Sequence, residues 1–181
     1  MNKLSLRIAV QLQDVADRDK VSDLLQKNDC GVHFVRTLQA HTCQAQLYVG
    51  KSITLTQAKD MSDLVVKLST PLLVLLEEAE QDIVDCLVNA DVAMVYVGAW
   101  PEERFSQLLS VAQARYLASC RQKMQLAAGQ KKLAEVRVIS QAKGLLMQQQ
   151  NISEARAHSA MQRLAMNRGV SLSEIARQLL G

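Results

Sequence analysis

The run Pro71-Leu72-Leu73-Val74-Leu75-Leu76 decides the fold of the first hundred residues of this 181-residue chain. Five consecutive apolar residues are typical of a strand buried on both faces, as in parallel sheets that helices cover. Further strand candidates lie at 4–10, 30–38, 45–49 and 92–97, and apolar stripes of helical spacing separate them at 14–28, 55–68 and 83–88. This alternation predicts a doubly wound, flavodoxin-like parallel α/β domain over residues 1–101.

The composition narrows the class of protein further. Apolar residues make up 49% of the chain, which is enough for a packed core, and the low numbers of Gly (7) and Pro (2) disfavour an all-β fold. No apolar run approaches the roughly 20 residues of a membrane span, and the first residues do not resemble a signal peptide. We therefore expect a cytoplasmic protein.

The cysteines raise the question of a metal site. Cys30, His33, His41 and Cys43 could in principle supply four zinc ligands, but His33 lies in an alternating strand-like segment whose side chains point to both faces. No Cys-x-x-Cys pair occurs, and reduced, mostly buried cysteines are the ordinary state in the cytosol. The sequence therefore predicts no metal and no cofactor.

Charge divides the chain into two unlike halves. Residues 1–100 carry nine Lys and Arg against thirteen Asp and Glu, a balance of −4, whereas residues 101–181 carry twelve against five, a balance of +7. A basic half of this kind indicates an anionic partner, with nucleic acid the commonest candidate.

A long helix is predicted after the α/β domain. Pro101 suits the first turn, and Glu102 and Glu103 there complement the helix dipole. At about 1.5 Å per residue, a continuous helix to about Gln150 would reach some 70 Å, more than one small domain can cover. We predict a parallel coiled-coil homodimer with its linker at 102–132, the alternative being that the segment folds back onto its own domain. The apolar positions at near-heptad spacing are Leu117, Cys120, Met124, Ala127, Ala134, Val138 and Leu145, interrupted by Lys131 and Gln141.

Helix-capping signals mark the last fifty residues. Ser153 is a candidate N-cap, Gly169 a candidate C-terminal stop, and Ser171-Leu-Ser-Glu174 fits a capping box. Apolar positions in these two short helices match an apolar face at the end of the long helix. We therefore predict a three-helix bundle over residues 133–181.

The α/β half resembles the receiver domain of bacterial response regulators, the output proteins of two-component systems. The family has two acidic residues after its first strand, a phosphate-accepting Asp after the third, Ser or Thr after the fourth and Lys after the fifth. The chain departs from each position, with Gln11-Leu12, Val49-Gly50, Leu76-Glu77 and Val97-Gly98. Without these residues neither Mg²⁺ binding nor phosphoryl transfer is expected, and the sequence predicts a pseudo-receiver with no phosphorylation site.

The C-terminal half carries a more specific resemblance. The run Ile139-Ser-Gln-Ala-Lys-Gly-Leu-Leu-Met147, followed by Ile152-Ser-Glu, Arg163-Leu-Ala-Met-Asn-Arg168 and Leu172-Ser-Glu-Ile-Ala176, resembles the ANTAR domain. That family comprises the AmiR and NasR transcription antitermination regulators. Val97-Gly98 followed by Pro101-Glu-Glu-Arg104 is similar to its NasT-like members.

The resemblance implies RNA binding. ANTAR proteins bind paired hairpins in nascent leader RNA and so prevent a terminator from forming, and better-known members are controlled by a ligand-sensing regulatory protein. No Phe, Tyr or Trp follows Tyr116, so contacts to RNA must come from basic and amide side chains. Two hairpins recognised together also give a reason to dimerise. The residues that we expect to contact RNA are Arg137, Lys143, Arg163, Asn167 and Arg168.

Three other functions stay open. Leu172–Leu180 resembles the first helix of a DNA-binding helix-turn-helix, which requires a recognition helix after it. An enzyme is disfavoured because no phosphate loop, nucleophile elbow or ordered acid–base pair occurs, and His158 stands among Ala and Ser. The strongest rival is a protein-binding adaptor whose basic half only confers solubility.

Overall fold

A computed structural model describes residues 6–39 and 43–181. It contains five strands and six α-helices over these ranges, together with a short 3-10 turn before the first helix. In chain order they are β1 (Leu6–Leu12), α1 (Arg18–Lys27), β2 (Cys30–Phe34), β3 (Ala45–Gly50), α2 (Leu55–Val65), β4 (Leu72–Leu76), α3 (Gln81–Asn89), β5 (Met94–Val97), α4 (Phe105–Gln150), α5 (Glu154–Arg168) and α6 (Leu172–Leu180).

The five strands form one parallel sheet in the order β2-β1-β3-β4-β5, which confirms the flavodoxin-like fold. All five residues of β4 are buried, as the apolar run predicted. One core cluster, including Val10, Leu47 and Phe105, joins the sheet to α1 and the start of α4. A second cluster, including Val74 and Leu87, joins the sheet to α2 and α3. Helices on both faces explain why β4 lacks polar alternation.

Several expected boundaries were wrong, and two of them differ from the structure by four residues. The second strand ends at Phe34 rather than at Leu38, although Leu38 itself is buried in the second core cluster. The long helix begins at Phe105 rather than at Pro101, because residues 102–104 form a turn in which the Arg104 N–H donates to the Pro101 carbonyl. Phe105 is fully buried, so core packing determines where this helix starts.

The C-terminal helices form the predicted bundle. Ser153 caps α5 by accepting from the Arg156 N–H, and Gly169 ends that helix in the left-handed conformation, at φ 64°. Ser171 and Glu174 make both hydrogen bonds of a capping box at the start of α6. The Ser171 N–H and the Ser171 hydroxyl both donate to the Glu174 carboxylate, and these two bonds lower the pKa of that carboxyl. The core between the end of α4, α5 and α6 is apolar and rich in alanine, and its buried residues are Ala142, Leu146, Ala157, Met161, Ala165, Ile175 and Ala176.

The chain divides into two compact units, residues 1–120 and 121–181, with the boundary inside α4. The division at 1–101, 102–132 and 133–181 stays a prediction. Of the four candidate zinc ligands, His41 lies outside the described residues. Nowhere in 6–39 and 43–181 do three or more His, Cys, Asp or Glu side chains group as metal ligands. Over the same residues, no helix is both long enough and apolar enough to span a bilayer.

Candidate nucleic-acid interface

The five residues predicted to contact RNA differ in how the protein itself uses them. Lys143 and Arg168 are engaged in contacts between helices. Arg137, Arg163 and Asn167 are exposed, and their side chains have no hydrogen bond or ion pair with another described residue. The second group is therefore the one whose side chains can reach a ligand without breaking an internal bond.

Lys143 connects two helices of the bundle. It lies on α4, its side chain is only 19% exposed, and its ammonium group donates to the carboxylate of Glu154 in the first turn of α5. This contact lowers the pKa of the Glu154 carboxyl, because the nearby positive charge favours the ionised form. Lys143 thus orients α5 against α4, a role that the sequence did not reveal.

Arg168 connects the other pair of helices. Its guanidinium donates a 2.8 Å hydrogen bond from Nη1 to Oε1 of Gln178 on α6. The remaining N–H groups of this guanidinium, which has five, are still available to an anion. Arg168 can therefore orient α6 and contact a ligand at the same time.

A groove on α5 brings the predicted Arg163 together with Arg156, which was not among the predicted residues. It has a volume of about 440 Å³ and contains two arginines, Arg156 and Arg163. These lie seven residues apart, about 10 Å along the helix, on the face opposite the buried Ala157 and Met161. Asn167 continues the same face one turn later. Besides the arginines, the groove is lined by Gln150, Ile152, Ala155, Ser159 and Ala160.

Sequence reasoning missed Arg156. The signal that could have found it is the spacing of seven residues to Arg163, which places two residues on one face of a helix. Together with Asn167, these side chains offer guanidinium and amide donors along about three turns of helix. Such donors suit phosphate oxygens and the exposed edges of unpaired bases.

The charge of the C-terminal unit supports an anionic ligand. Residues 121–181 carry ten Lys and Arg against three Asp and Glu. Glu154 is held by Lys143, and Glu174 is occupied by the capping box. Two of the three acidic side chains therefore already have partners at the starts of helices α5 and α6. Their negative charges are partly compensated there and repel a bound phosphate less.

The middle of α4 exposes apolar residues in two stripes. Leu117 (53% exposed) and Met124 (65%) belong to the heptad predicted from the sequence. Leu126 (59%), Leu133 (72%) and Val136 (55%) form a second stripe, spaced by seven and three residues, that the prediction overlooked. Val138, which the predicted heptad included, instead packs against the core of the C-terminal bundle.

Gln13 fills the space beside Gly50 at the carboxyl end of β3, the position at which a receiver domain carries its phosphate acceptor. A Cβ atom on Gly50 would clash with Oε1 of Gln13. That oxygen accepts a 2.8 Å hydrogen bond from the Lys51 N–H, so Gln13 holds the loop after β3. Gln11 has a similar structural role, since its Oε1 accepts from the Leu38 N–H at 3.0 Å.

Comparison with known proteins identifies the C-terminal region. The family model described as the ANTAR domain matches residues 127–180. A search of curated proteins gives no match.

Several solved structures are similar to this chain at low sequence identity. A response regulator from Thermotoga maritima is 11% identical, with 61% of this chain and 99% of that chain covered and a TM-score of 0.47. A pilus assembly-related protein from Burkholderia pseudomallei is 17% identical, with 61% and 90% covered and a TM-score of 0.47. The response regulator ChrA of a heme-sensing two-component system is 15% identical, with 96% and 97% covered and a TM-score of 0.44.

Proposed function

We propose that the protein is a transcription antiterminator that binds RNA, because residues 127–180 match the ANTAR family model. In this function it binds paired hairpins in a nascent leader mRNA and prevents a terminator from forming. It acts in the cytoplasm and by binding, without catalysis. The finer NasT-like assignment belongs to this proposal as well.

The observation that carries the proposal is the arginine-lined face of α5. Arg156 and Arg163 flank one groove, Asn167 extends it, and the side chains of these three residues have no hydrogen bond or ion pair with another described residue. Their spacing of about 10 Å matches roughly three stacked nucleotides at about 3.4 Å each. Loop bases that no partner strand pairs would present their edges to these donors. We assign Arg137, Lys143 and Arg168 supporting roles in the same interface.

Pairing of two copies through α4 would let one dimer hold both hairpins. The exposed stripes on α4 support such a coiled coil, since apolar residues at heptad spacing are what a partner helix covers. Substituting L117Q/M124Q tests the stripe predicted from the sequence, and L126Q/L133Q tests the second stripe. Light scattering should show a dimeric wild type and dissociation of at least one variant. A mass that neither pair of substitutions changes would contradict dimerisation through α4.

Control by a partner protein or a ligand is the mode of regulation that we propose. Gln13 occupies the space beside Gly50 that an acceptor side chain would need, which argues against phosphorylation at this edge. Incubation with acetyl phosphate should leave the intact mass of the protein unchanged. A defined phosphoaspartate would refute this mode of control.

The decisive experiment compares three ligands in a gel-shift titration. They are a two-hairpin leader RNA, the same RNA with one hairpin deleted, and a duplex DNA of equal length. We expect tight binding that requires both hairpins. Equal, salt-sensitive affinity for all three would reduce the interaction to nonspecific electrostatics. Preference for the duplex would support the DNA-binding alternative, and absence of all binding would support the protein-binding adaptor.

A further inference from the structure

A cavity of about 220 Å³ opens at the carboxyl edge of the sheet, within the receiver-like unit. The ends of β3 and β4 contribute apolar side chains to it, including Val49 and Leu75, and the segment after β4 contributes Glu77 and Glu78. Ligands of doubly wound folds bind at this edge, because the loops there diverge to form a crevice. Nothing in the proposed RNA-binding function uses this cavity.

The two glutamates give the cavity an uncompensated negative charge. Their backbone N–H groups donate to the Lys51 carbonyl at 3.1 and 2.9 Å, which fixes the segment after β4. Both side chains are exposed, and neither carboxylate has a hydrogen bond or ion pair with another described residue. Lys20 and Asp17 also line the cavity, and their opposite charges neutralise each other, since Nζ of Lys20 lies 3.7 Å from Oδ1 of Asp17.

Aromatic side chains line the same cavity. Tyr96 and Trp100 are both half-buried, and the Tyr96 hydroxyl donates a 2.8 Å hydrogen bond to the Ala99 carbonyl, which holds this ring in place. Aromatic faces attract cations, and their apolar surface also covers the body of an organic ligand.

We propose that this cavity binds a small organic cation. A primary ammonium group would contact the carboxylates of Glu77 and Glu78, and an apolar body would pack against Tyr96 and Trp100. The volume is below the 300–1,000 Å³ that is typical of drug-sized ligands, so the ligand is a small amine. An anion would meet two uncompensated carboxylates. Mg²⁺ or Ca²⁺ is disfavoured because the described residues hold no group of three or more candidate ligands.

The position of the cavity connects it to α4. Trp100 and Pro101 line it and lead into this helix, and Trp100 packs against the core cluster that contains Phe105. An amine bound here would therefore contact the segment from which α4 starts. Any effect of the amine on RNA rests on the proposed function, whereas binding of the amine does not, and the two can be measured separately.

Trp100 is a fluorescent probe of ligand binding in the cavity, since it is the only tryptophan of the sequence. Titration of the full-length protein with benzylammonium chloride should change the tryptophan fluorescence saturably, with a dissociation constant on the order of 1 mM for so small a ligand. Benzyl alcohol and sodium benzoate, which have the same ring but no positive charge, should give no saturable change. Saturable binding of all three would overturn the proposal, as would absence of benzylammonium binding.

Two double variants locate the site. E77Q/E78Q should weaken benzylammonium binding by about tenfold or more, because charge-assisted hydrogen bonds are lost. E80Q/D82N removes the same two charges from the adjacent start of α3, outside the cavity, and should bind like the wild type. All four residues are exposed, so both variants should fold, which circular dichroism checks. Equal affinity of E77Q/E78Q and wild type would overturn the proposal. A gel shift on the same samples tests RNA binding independently. Failure of the amine site and failure of the proposed RNA-binding function can therefore be distinguished.

Discussion

The double substitution R156Q/R163Q tests the RNA interface most directly. It removes two positive charges from the groove on α5 and keeps polar side chains of similar length. Both arginines are exposed and lie opposite the buried face of the helix, so the bundle should keep its stability. Any loss of affinity would then report on the ligand rather than on folding.

The expected magnitude follows from counterion release. Each phosphate contact to single-stranded nucleic acid contributes about 0.7 to the slope of log K against log salt concentration, so two contacts contribute about 1.4. At about 0.15 M salt this corresponds to an affinity loss of about 15-fold, and at about 0.05 M to a loss of about 65-fold. The variant should therefore bind more weakly and show a flatter salt dependence.

The assay is a fluorescence-anisotropy titration of a labelled two-hairpin RNA over a series of salt concentrations. The matched control is R115Q/R121Q, which removes the same net charge from exposed positions on α4 outside residues 127–180, the region that the ANTAR family model matches. This control should change the slope much less. If both double variants reduce the affinity and the slope equally, or if R156Q/R163Q has no effect, the reasoning that assigns the groove to RNA is wrong.

Three further predictions concern stability. E154Q removes a carboxylate whose pKa is lowered by its ion pair with Lys143 on α4, so the wild-type bundle should lose stability as the pH falls below about 4.3. Urea unfolding over this pH range should show a smaller loss of stability for the variant than for the wild type. G50A should lower the free energy of unfolding by about 1 kcal/mol, measured by thermal unfolding, because its Cβ displaces the Gln13 amide from its hydrogen bond. The same substitution should cost less in a Q13A background, and equal costs in both backgrounds would exclude this contact. M161A removes a fully buried side chain of the bundle and should cost about 2–5 kcal/mol, whereas M166A, at an 81% exposed position, should change the melting temperature little.

Much of the fold could be predicted because local signals were strong. The five apolar residues of β4 are found at the predicted positions, and Ser153, Gly169 and Ser171 end or begin helices as expected. These signals are local, since a cap acts within one turn and a buried strand must be apolar along its length. The start of α4 was missed because burial of Phe105, a long-range contact, determines it.

The candidate site was predictable only in part. The basic character of the C-terminal half followed from the sequence, but the sequence could not show which basic residues the protein uses internally. Lys143 is paired to Glu154, eleven residues away, and Arg168 to Gln178, ten residues away. Such partners depend on how helices pack, which spacing along one helix does not encode.

The sequence by itself determined the order of the elements, the parallel sheet and the charge that marks the second half, because these depend on periodicity, helix caps and residue counts. Only the tertiary structure decided how individual polar groups are used. It placed Gln13 beside Gly50, joined Glu77, Glu78 and Trp100 around one cavity, and left Arg156 exposed beside Arg163. The physical reason is that a side chain's role depends on the neighbours that folding brings to it from distant parts of the chain.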